Sequence, residues 1–297
     1  ILKNLPKLDE WHEKHIIKKF NNISWNEAII KLHLPENIGK YKSDFYERLA
    51  YDEIFASFLV HSEIRKKIKK VKKQKKTFNL EFQENLISKL NLKLTNDQKI
   101  AINEINQDLK SNNKMFRLLQ GDVGSGKTIV SLIAALNVIK SGFQVSVMAP
   151  TEILARQHYN LAKKIFDGEI NIEILSSKSE YKNKKIILKK LKESKIDLLF
   201  GTHAIFQKGV NFKKLGLIII DEQHKFGVNQ RKKLSDKGGN NCDVLLMSAT
   251  PIPRTLTMTI YGDMDLSIIR EKPKSRIEVK TYSKLESKIN DVINFIQ

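Results

Sequence analysis

The stretch GDVGSGKT, Gly121–Thr128, constrains what this chain can fold into more than any other part of it. It fits the pattern G-x-x-x-x-G-K-[ST] and lies between an apolar run at 115–120 and an amphipathic stretch at 126–142. A strand, a glycine-rich loop and a helix in that order form a cradle for phosphate groups, because backbone N–H groups and the helix N-terminus face the anion. The sequence therefore predicts a nucleoside triphosphate site in a fold that contains this unit.

The residue types inside the loop follow from the chemistry of phosphate groups. Glycines let the backbone approach the phosphate oxygens closely. Lys127 supplies a positive charge to the β- and γ-phosphates, and the Thr128 hydroxyl is a suitable ligand for Mg²⁺. The predicted nucleotide-binding residues of the loop are Gly121, Gly124, Ser125, Gly126, Lys127 and Thr128.

Two carboxylates end the most apolar run of the chain. In LIIIDE, residues 217–222, Asp221 and Glu222 come directly after four aliphatic residues. Asp221 is suited to hold hydrated Mg²⁺, and Glu222 is suited to orient and deprotonate an attacking water. Taken alone, an acidic pair after a strand fits an ordinary capped turn equally well. Together with the phosphate loop, it indicates an enzyme that hydrolyses nucleotides.

Beyond about residue 90, short apolar runs alternate with amphipathic stretches. The apolar runs are continuous rather than alternating, which indicates strands of a sheet that is covered on both faces. With helices between them, the predicted fold class is α/β, with a doubly wound, mainly parallel sheet preceded by a helical segment. The predicted strands are 115–120, 143–150, 170–177, 196–202, 215–222, 242–249 and 276–283, and the predicted helices are 126–142, 151–166, 178–194 and one from about 284.

The charge balance leaves two interpretations open. The chain has 53 Lys and Arg residues against 33 Asp and Glu residues, a formal net charge of +20. This excess suits a polyanionic partner such as nucleic acid, but a lysine-rich solvated surface accounts for it as well. The basic run at 65–76, which we expect to be helical, has the same two interpretations: contact with phosphates, or the solvated face of a helix.

Composition also limits the class of protein. No apolar run reaches the roughly 18 residues that a membrane-spanning helix needs, so we expect no membrane partner. The single cysteine, Cys242, cannot form an internal disulfide and lies at the start of a predicted buried strand. These features favour a reducing, cytoplasmic setting. The chain begins at Ile1 and ends inside a helical pattern, so we interpret it as a piece of a longer protein.

Several further motifs resemble those of superfamily 2 helicases, in the same order. They are TEILARQH (151–158), GTHAIF (201–206), DEQH (221–224) and SATPIPRTL (248–256). Longer stretches at 25–36, 48–60, 221–234 and 247–269 closely resemble the RecG family of bacterial branched-DNA helicases, and the resemblance spans essentially the whole chain. Two alternatives remain open: a transcription-repair coupling translocase, which shares several motifs, and a non-catalytic DNA-binding fragment with a vestigial ATP site.

The resemblance implies roles for particular residues. Gln98, in LTNDQ, corresponds to the glutamine that binds adenine, and His224 joins the catalytic groups. Thr151 could instead be a helix N-cap, because Glu152 follows it in the first turn. The residues implied to face DNA are Thr151, Arg156, Gln157, Gly201, Thr202 and His203, and those implied to couple the γ-phosphate site to the DNA site are Gln223, Ser248, Ala249, Thr250 and Arg254.

The resemblance also implies an organisation and an activity. Residues 1–90 would link a wedge domain to the motor, 91–270 would form the first RecA-like lobe, and 271–297 would begin a second lobe. The implied function is an ATP-dependent DNA helicase, a monomeric motor that uses ATP and Mg²⁺ to remodel replication forks and Holliday junctions made of branched or duplex DNA. Because the second lobe supplies arginines to the transition state, we expect this chain alone to bind ATP and to hydrolyse it slowly.

Overall fold

The fold is seen in a computed structural model of the chain. Within the described ranges, no helix combines the length and the apolar character that crossing a lipid bilayer requires. The structure describes residues 5–6, 8–34, 44–89, 93–176, 181–207, 209–222, 239–250, 264–273 and 281–296.

A seven-stranded sheet with every described strand pair parallel forms the centre of the molecule. The strand order is β3-β4-β2-β5-β6-β1-β7. This arrangement confirms the predicted α/β class with a parallel sheet and a helical segment before it. The strands are β1 (Phe116–Gly121), β2 (Gln144–Met148), β3 (Ile172–Leu175), β4 (Leu198–Gly201), β5 (Leu215–Ile220), β6 (Asp243–Ser248) and β7 (Asp265–Ile269).

Helices pack on both faces of the sheet and precede it in the sequence. Two short 3-10 helices, His203–Phe206 and Glu286–Lys288, and a third at Lys18–Phe20 complete the described elements. The α-helices are α1 (Lys14–Ile17), α2 (Trp25–His33), α3 (Asp44–Lys70), α4 (Leu80–Lys89), α5 (Asn96–Lys110), α6 (Lys127–Lys140), α7 (Glu152–Phe166), α8 (Tyr181–Lys192) and α9 (Ile289–Ile296).

Strand β5 shows why its run is apolar at every position. Leu217 and Ile219 pack into the core beneath α5 and α6, whereas Ile218 and Ile220 pack into a second core on the other face. Successive side chains of a strand point to opposite faces, so two covered faces require apolar residues throughout. Cys242, just before β6, belongs to the second core as predicted, and burial raises the pKa of its thiol to about 12.

Strand β7 was not among the predicted strands. Its sequence, DLSII, carries two polar residues, and both are bonded to basic side chains elsewhere in the fold. Asp265 pairs with Arg65 of α3, and the Ser267 hydroxyl accepts a hydrogen bond from Arg117 of β1 at 2.8 Å. Most of the strand predicted at 276–283 lies outside the described residues, and 281–285 are not in a strand. The helix predicted from about 284 corresponds to the turn at 286–288 and α9.

The basic run at 65–76 differs from both interpretations of it. Helix α3 ends at Lys70, and the chain continues in an extended segment beside the amino ends of the central strands. The side chains of Lys73 and Lys76 are fully buried there, and each donates to Asp243 at 2.7 Å. They are neither solvated nor available to an external phosphate. The expectation that the whole run is helical and outward-facing was therefore wrong for these two lysines.

Asp243, the first residue of β6, connects three parts of the fold at the amino ends of the strands. Besides the two lysines, it accepts a hydrogen bond at 2.7 Å from the backbone N–H of Met115, immediately before β1. Lys76 also donates to the carbonyl of Asn241 at 2.6 Å. Burial holds the pKa of Lys73 below its usual value, while the charge of Asp243 opposes that shift. The cluster thus joins β6, β1 and the segment that leads into the sheet.

Replacing Asp243 with Asn is expected to destabilise the protein strongly. The substitution keeps the shape of the side chain but leaves two buried ammonium groups without a counter-charge, which typically costs about 3–5 kcal/mol. Urea unfolding followed by circular dichroism measures the loss. Glu193→Gln, which breaks an exposed ion pair with Lys195, is the matched control and should leave the midpoint unchanged. Equal stability of Asp243→Asn and the wild type would contradict the role given to this cluster.

Candidate nucleotide and nucleic-acid site

The parallel sheet gathers the predicted site residues at one edge. Loops that follow parallel strands all emerge at the carboxyl ends of those strands, where α/β proteins bind ligands. The phosphate loop follows β1, Thr151 follows β2, Thr202 follows β4, Asp221 follows β5 and Thr250 follows β6. Segments that are distant in the sequence therefore become neighbours.

The phosphate loop has the backbone that its glycines permit. Gly124 and Gly126 have φ values of 79° and 88°, in the left-handed region where residues with a side chain are strained. A Cβ atom on Gly126 would come within 2.3 Å of the side-chain nitrogen of Gln98. A Cβ atom on Gly121 would come within 2.6 Å of the Ser125 hydroxyl. Both the conformation and the packing of the loop therefore require glycine.

Lys127 is folded back over this loop. Its ammonium group donates to the carbonyl of Gly121 at 2.7 Å and to that of Asp122 at 2.9 Å. Burial lowers the pKa of Lys127, and the negative charges of Asp221, Glu222 and Asp122 oppose that shift. The first lysine of α6 and the strand-end carboxylates are thus close enough to interact electrostatically.

Asp221 and Glu222 occupy a tightly bonded turn after β5. The backbone N–H of Asp221 donates to Met148 at 2.9 Å, which extends the pairing of β5 with β2. One carboxylate oxygen of Asp221 accepts the N–H of Glu222 at 3.0 Å, and the other is 2.8 Å from the Nε2 atom of His158. Glu222 has a φ of 52°, a strained value for a residue with a side chain. Such strain is typical of functional positions.

The donor atoms at this edge fit a magnesium ion bound together with nucleotide. Mg²⁺ prefers oxygen ligands and is usually held by one or two carboxylates, substrate phosphates and water. Asp221 offers a buried carboxylate, and Thr128, half-buried in the first turn of α6, offers a hydroxyl. Both belong to the edge that carries the phosphate loop.

Gln98 connects helix α5 to the phosphate loop. Its backbone N–H donates to the Thr95 hydroxyl, and its side-chain oxygen accepts the Thr95 N–H at 2.9 Å, which forms a capping box. Its side-chain nitrogen donates to the carbonyl of Ser125 at 2.7 Å. The sequence signal T-x-x-Q could have revealed the capping box, which our sequence reasoning missed. Contact with adenine remains a prediction for this residue.

The residues expected to face DNA lie at the same edge, but some also have structural partners. The Thr151 hydroxyl accepts the N–H of Leu154 at 3.3 Å, so the N-cap considered as an alternative is present. Arg156 is 57% exposed and pairs with Glu152 at 2.9 Å. Gln157 is exposed on the same helix.

The turn at 201–203 completes this group. The carbonyl of Gly201 accepts the N–H of Ala149 at 2.9 Å, which joins the ends of β4 and β2. A Cβ atom on Gly201 would lie 2.4 Å from the carbonyl of Leu175, so glycine is needed here for packing alone. Thr202 is half-buried and His203 exposed. The structure thus brings 151–157 and 201–203 to one edge, while their contact with DNA remains a prediction.

The residues expected to couple the two sites are only partly described. The hydroxyls of Ser248 and Thr250 are hydrogen-bonded at 2.9 Å, and Ala249 lies between them. The carbonyl of Thr250 accepts a hydrogen bond from Gln120, at the end of β1, at 3.2 Å. This motif is therefore tied to the strand that leads into the phosphate loop. Gln223, His224 and Arg254 lie outside the described residues.

Gly126→Ala is expected to weaken nucleotide binding, because the added Cβ atom would displace the side chain of Gln98 from the phosphate loop. Gly168 provides a matched control, because it has a similar φ of +82° but nothing within 4 Å of a Cβ position. Both substitutions should lower the free energy of unfolding by about 1–2 kcal/mol, because alanine is strained in the left-handed backbone conformation. Only Gly126→Ala also displaces Gln98. Titration with a fluorescent ATP analogue should show reduced affinity for Gly126→Ala and wild-type affinity for Gly168→Ala; equal affinities would contradict the prediction.

Comparison with known proteins places this site in a family. Over 295 residues the chain is 44% identical to the ATP-dependent DNA helicase RecG of Aquifex aeolicus. The match covers 97% of this chain and 37% of that protein. RecG of Borreliella burgdorferi is 41% identical, and that match covers 96% of this chain and 41% of the relative. The chain thus spans about two fifths of these relatives.

A solved structure and a family profile agree with these relatives. The structure described as RecG bound to a three-way DNA junction matches with a TM-score of 0.81 and 37% identity, over 98% of this chain and 39% of that one. Residues 95–259, more than half of the chain, match the profile described as DEAD/DEAH box helicase. The chain belongs to the DEAD/DEAH box helicase family.

Proposed function

We propose that this chain is the ATP-binding motor segment of a RecG-type DNA helicase. The observation that carries the proposal is the meeting of the phosphate loop with Asp221 and Glu222 at the carboxyl edge of a parallel sheet. Similarity to RecG over nearly the whole chain supports the particular type of helicase. A vestigial ATP site is disfavoured, because Lys127, Thr128 and both carboxylates are retained.

The residues have separable roles in ATP hydrolysis. Lys127 balances the charge of the β- and γ-phosphates, and the loop N–H groups orient them. Thr128 and Asp221 would hold Mg²⁺, which neutralises phosphate charge when it is bound. Glu222 accepts a proton from the attacking water, and His224 is assigned to the same catalytic group by its place in the DEQH motif. Gln98 binds the adenine base.

We further propose that the same edge binds DNA. The RecG structure that this chain resembles contains a three-way junction, and the net charge of +20 suits a polyanion. The DNA would lie along 151–157 and 201–203. Ser248–Thr250, together with Gln223 and Arg254, would relay its presence to the γ-phosphate. Branched DNA, such as a fork or a Holliday junction, is the proposed substrate of the whole protein in DNA repair and recombination.

The proposed organisation follows the same similarity. Residues 1–90 would connect a wedge domain to the motor, 91–270 would be the first lobe, and 271–297 would lead into a second. The second lobe would complete the ATP site with arginines. We propose a monomeric motor that acts in the bacterial cytoplasm.

Substitutions at Lys127 and Glu222 should separate binding from chemistry in the full-length protein. Lys127→Ala should lose nucleotide affinity, because the charge facing the phosphates is removed. Glu222→Gln should bind ATP normally but hydrolyse it about 10²–10⁴ times more slowly, because it cannot accept a proton. Equilibrium binding of a fluorescent ATP analogue and steady-state phosphate release measure the two effects. Normal turnover by Glu222→Gln would remove this residue from the role of base.

This chain alone should bind ATP and hydrolyse it slowly, even with forked DNA. Loss of an arginine finger typically costs about 10³–10⁵ in rate. The measurement compares phosphate release by the chain and by the full-length protein, each without DNA, with linear duplex and with a fork. Rapid fork-stimulated turnover by the chain alone would show that no second lobe is needed.

A further inference from the structure

His158 makes a contact that the roles described so far do not use. Its Nε2 atom is 2.8 Å from the Oδ2 atom of Asp221, and the two side chains are 13% and 12% exposed. The two residues are 63 positions apart in the sequence. The bond therefore connects the middle of α7 to the turn after β5.

The position of His158 on α7 makes this bond unusual. Ala155 and Ala162, three positions before it and four after it, are buried against the sheet. Residues at this spacing share one face of a helix, so His158 belongs to the stripe that packs on the core. A polar residue on such a stripe needs a partner, and Asp221 is that partner.

The chemistry of the pair fixes the direction of the hydrogen bond. An ionised carboxylate only accepts, so the Nε2 atom of His158 carries the proton and donates it to Asp221. The other oxygen of Asp221 accepts the backbone N–H of Glu222 at 3.0 Å. The side chain of Asp221 is therefore held from two sides, by its own turn and by α7.

Helix α7 begins at Glu152, and its N-cap, Thr151, lies about two turns before His158. Seven residues correspond to nearly two full turns, so Thr151 and His158 lie on one side of α7. Because α7 is one continuous helix from Glu152 to Phe166, a displacement of its first turn would also displace His158. Within the proposed function, on which this step rests, 151–157 contact DNA and Asp221 holds Mg²⁺.

We infer that His158 is a positioning residue, which orients Asp221 for metal binding and makes that orientation depend on where DNA holds α7. Groups that orient a metal-binding side chain typically contribute about 10–100-fold to metal affinity. Coupling of this kind is reciprocal: DNA raises the affinity for metal, and metal with nucleotide raises the affinity for DNA by the same factor.

The test uses the full-length protein with Mn²⁺ as a spectroscopic probe of the metal site. Mn²⁺ affinity is measured by electron paramagnetic resonance with a non-hydrolysable ATP analogue, with and without forked DNA. His158→Ala should lower Mn²⁺ affinity about 10-fold and abolish the increase caused by DNA. Affinity for DNA without nucleotide should stay at the wild-type value.

Two variants distinguish positioning from packing. His158→Gln places an amide nitrogen where Nε2 lies and should restore much of the Mn²⁺ affinity and of the response to DNA. Asn160→Ala removes an exposed side chain from the same helix and should match the wild type.

The outcomes separate this inference from the proposed function. Wild-type Mn²⁺ affinity and an undiminished DNA response in His158→Ala would overturn the inference alone. So would a His158→Gln protein as impaired as His158→Ala, because the residue would then act through packing. If the wild type binds neither nucleotide with Mn²⁺ nor forked DNA, the proposed function fails and the inference fails with it.

Discussion

The parallel alignment of the seven strands is the constraint on which the rest of this structure depends. It brings the carboxyl ends of β1, β2, β4, β5 and β6 to one edge, so a loop after each strand contributes to one site. Helix α6 starts at that edge with its N-terminus toward the phosphate loop. Alternate residues of the strands fill cores on both faces, and this rigid support holds the site residues in place.

The amino ends of the strands, opposite the site, carry structural contacts. There Asp243 binds Lys73, Lys76 and the N–H of Met115. These bonds join the segment that follows α3 to the adjacent strands β1 and β6. Desolvation offsets much of the attraction in a buried ion cluster, so the cluster adds little net stability, whereas removal of one partner leaves an uncompensated buried charge. Helix α3 is held at the sheet's margin as well, through Arg65 and Asp265 of β7. These structural contacts at the amino ends of the strands are thus separate from the residues proposed for the nucleotide site at the carboxyl ends.

Sequence patterns predicted the local features of this fold well and its long-range contacts poorly. The phosphate loop and the buried strands carry signals that extend over a few neighbouring residues. Lys73 was misinterpreted because its partner, Asp243, lies 170 positions away, and a buried lysine looks like a solvated one until that partner is known. Strand β7 was not predicted, because Asp265 and Ser267 interrupt the continuous apolar run that marks the other buried strands. His158 was given no role from the sequence, because its partner, Asp221, lies 63 positions away.

The turn at Asp221 and Glu222 illustrates how the fold maintains a strained site. A left-handed residue with a side chain costs about 1–3 kcal/mol and persists only where its surroundings determine it fully. Here β5 is buried on both faces, the N–H of Asp221 extends the ladder to Met148, and His158 of α7 holds its carboxylate. Each of these supports comes from a different element. Because the sheet and α7 together set the geometry of the turn, the carboxylate of Asp221 has fixed partners within the protein, and the inferred effect of DNA would act on that arrangement through α7.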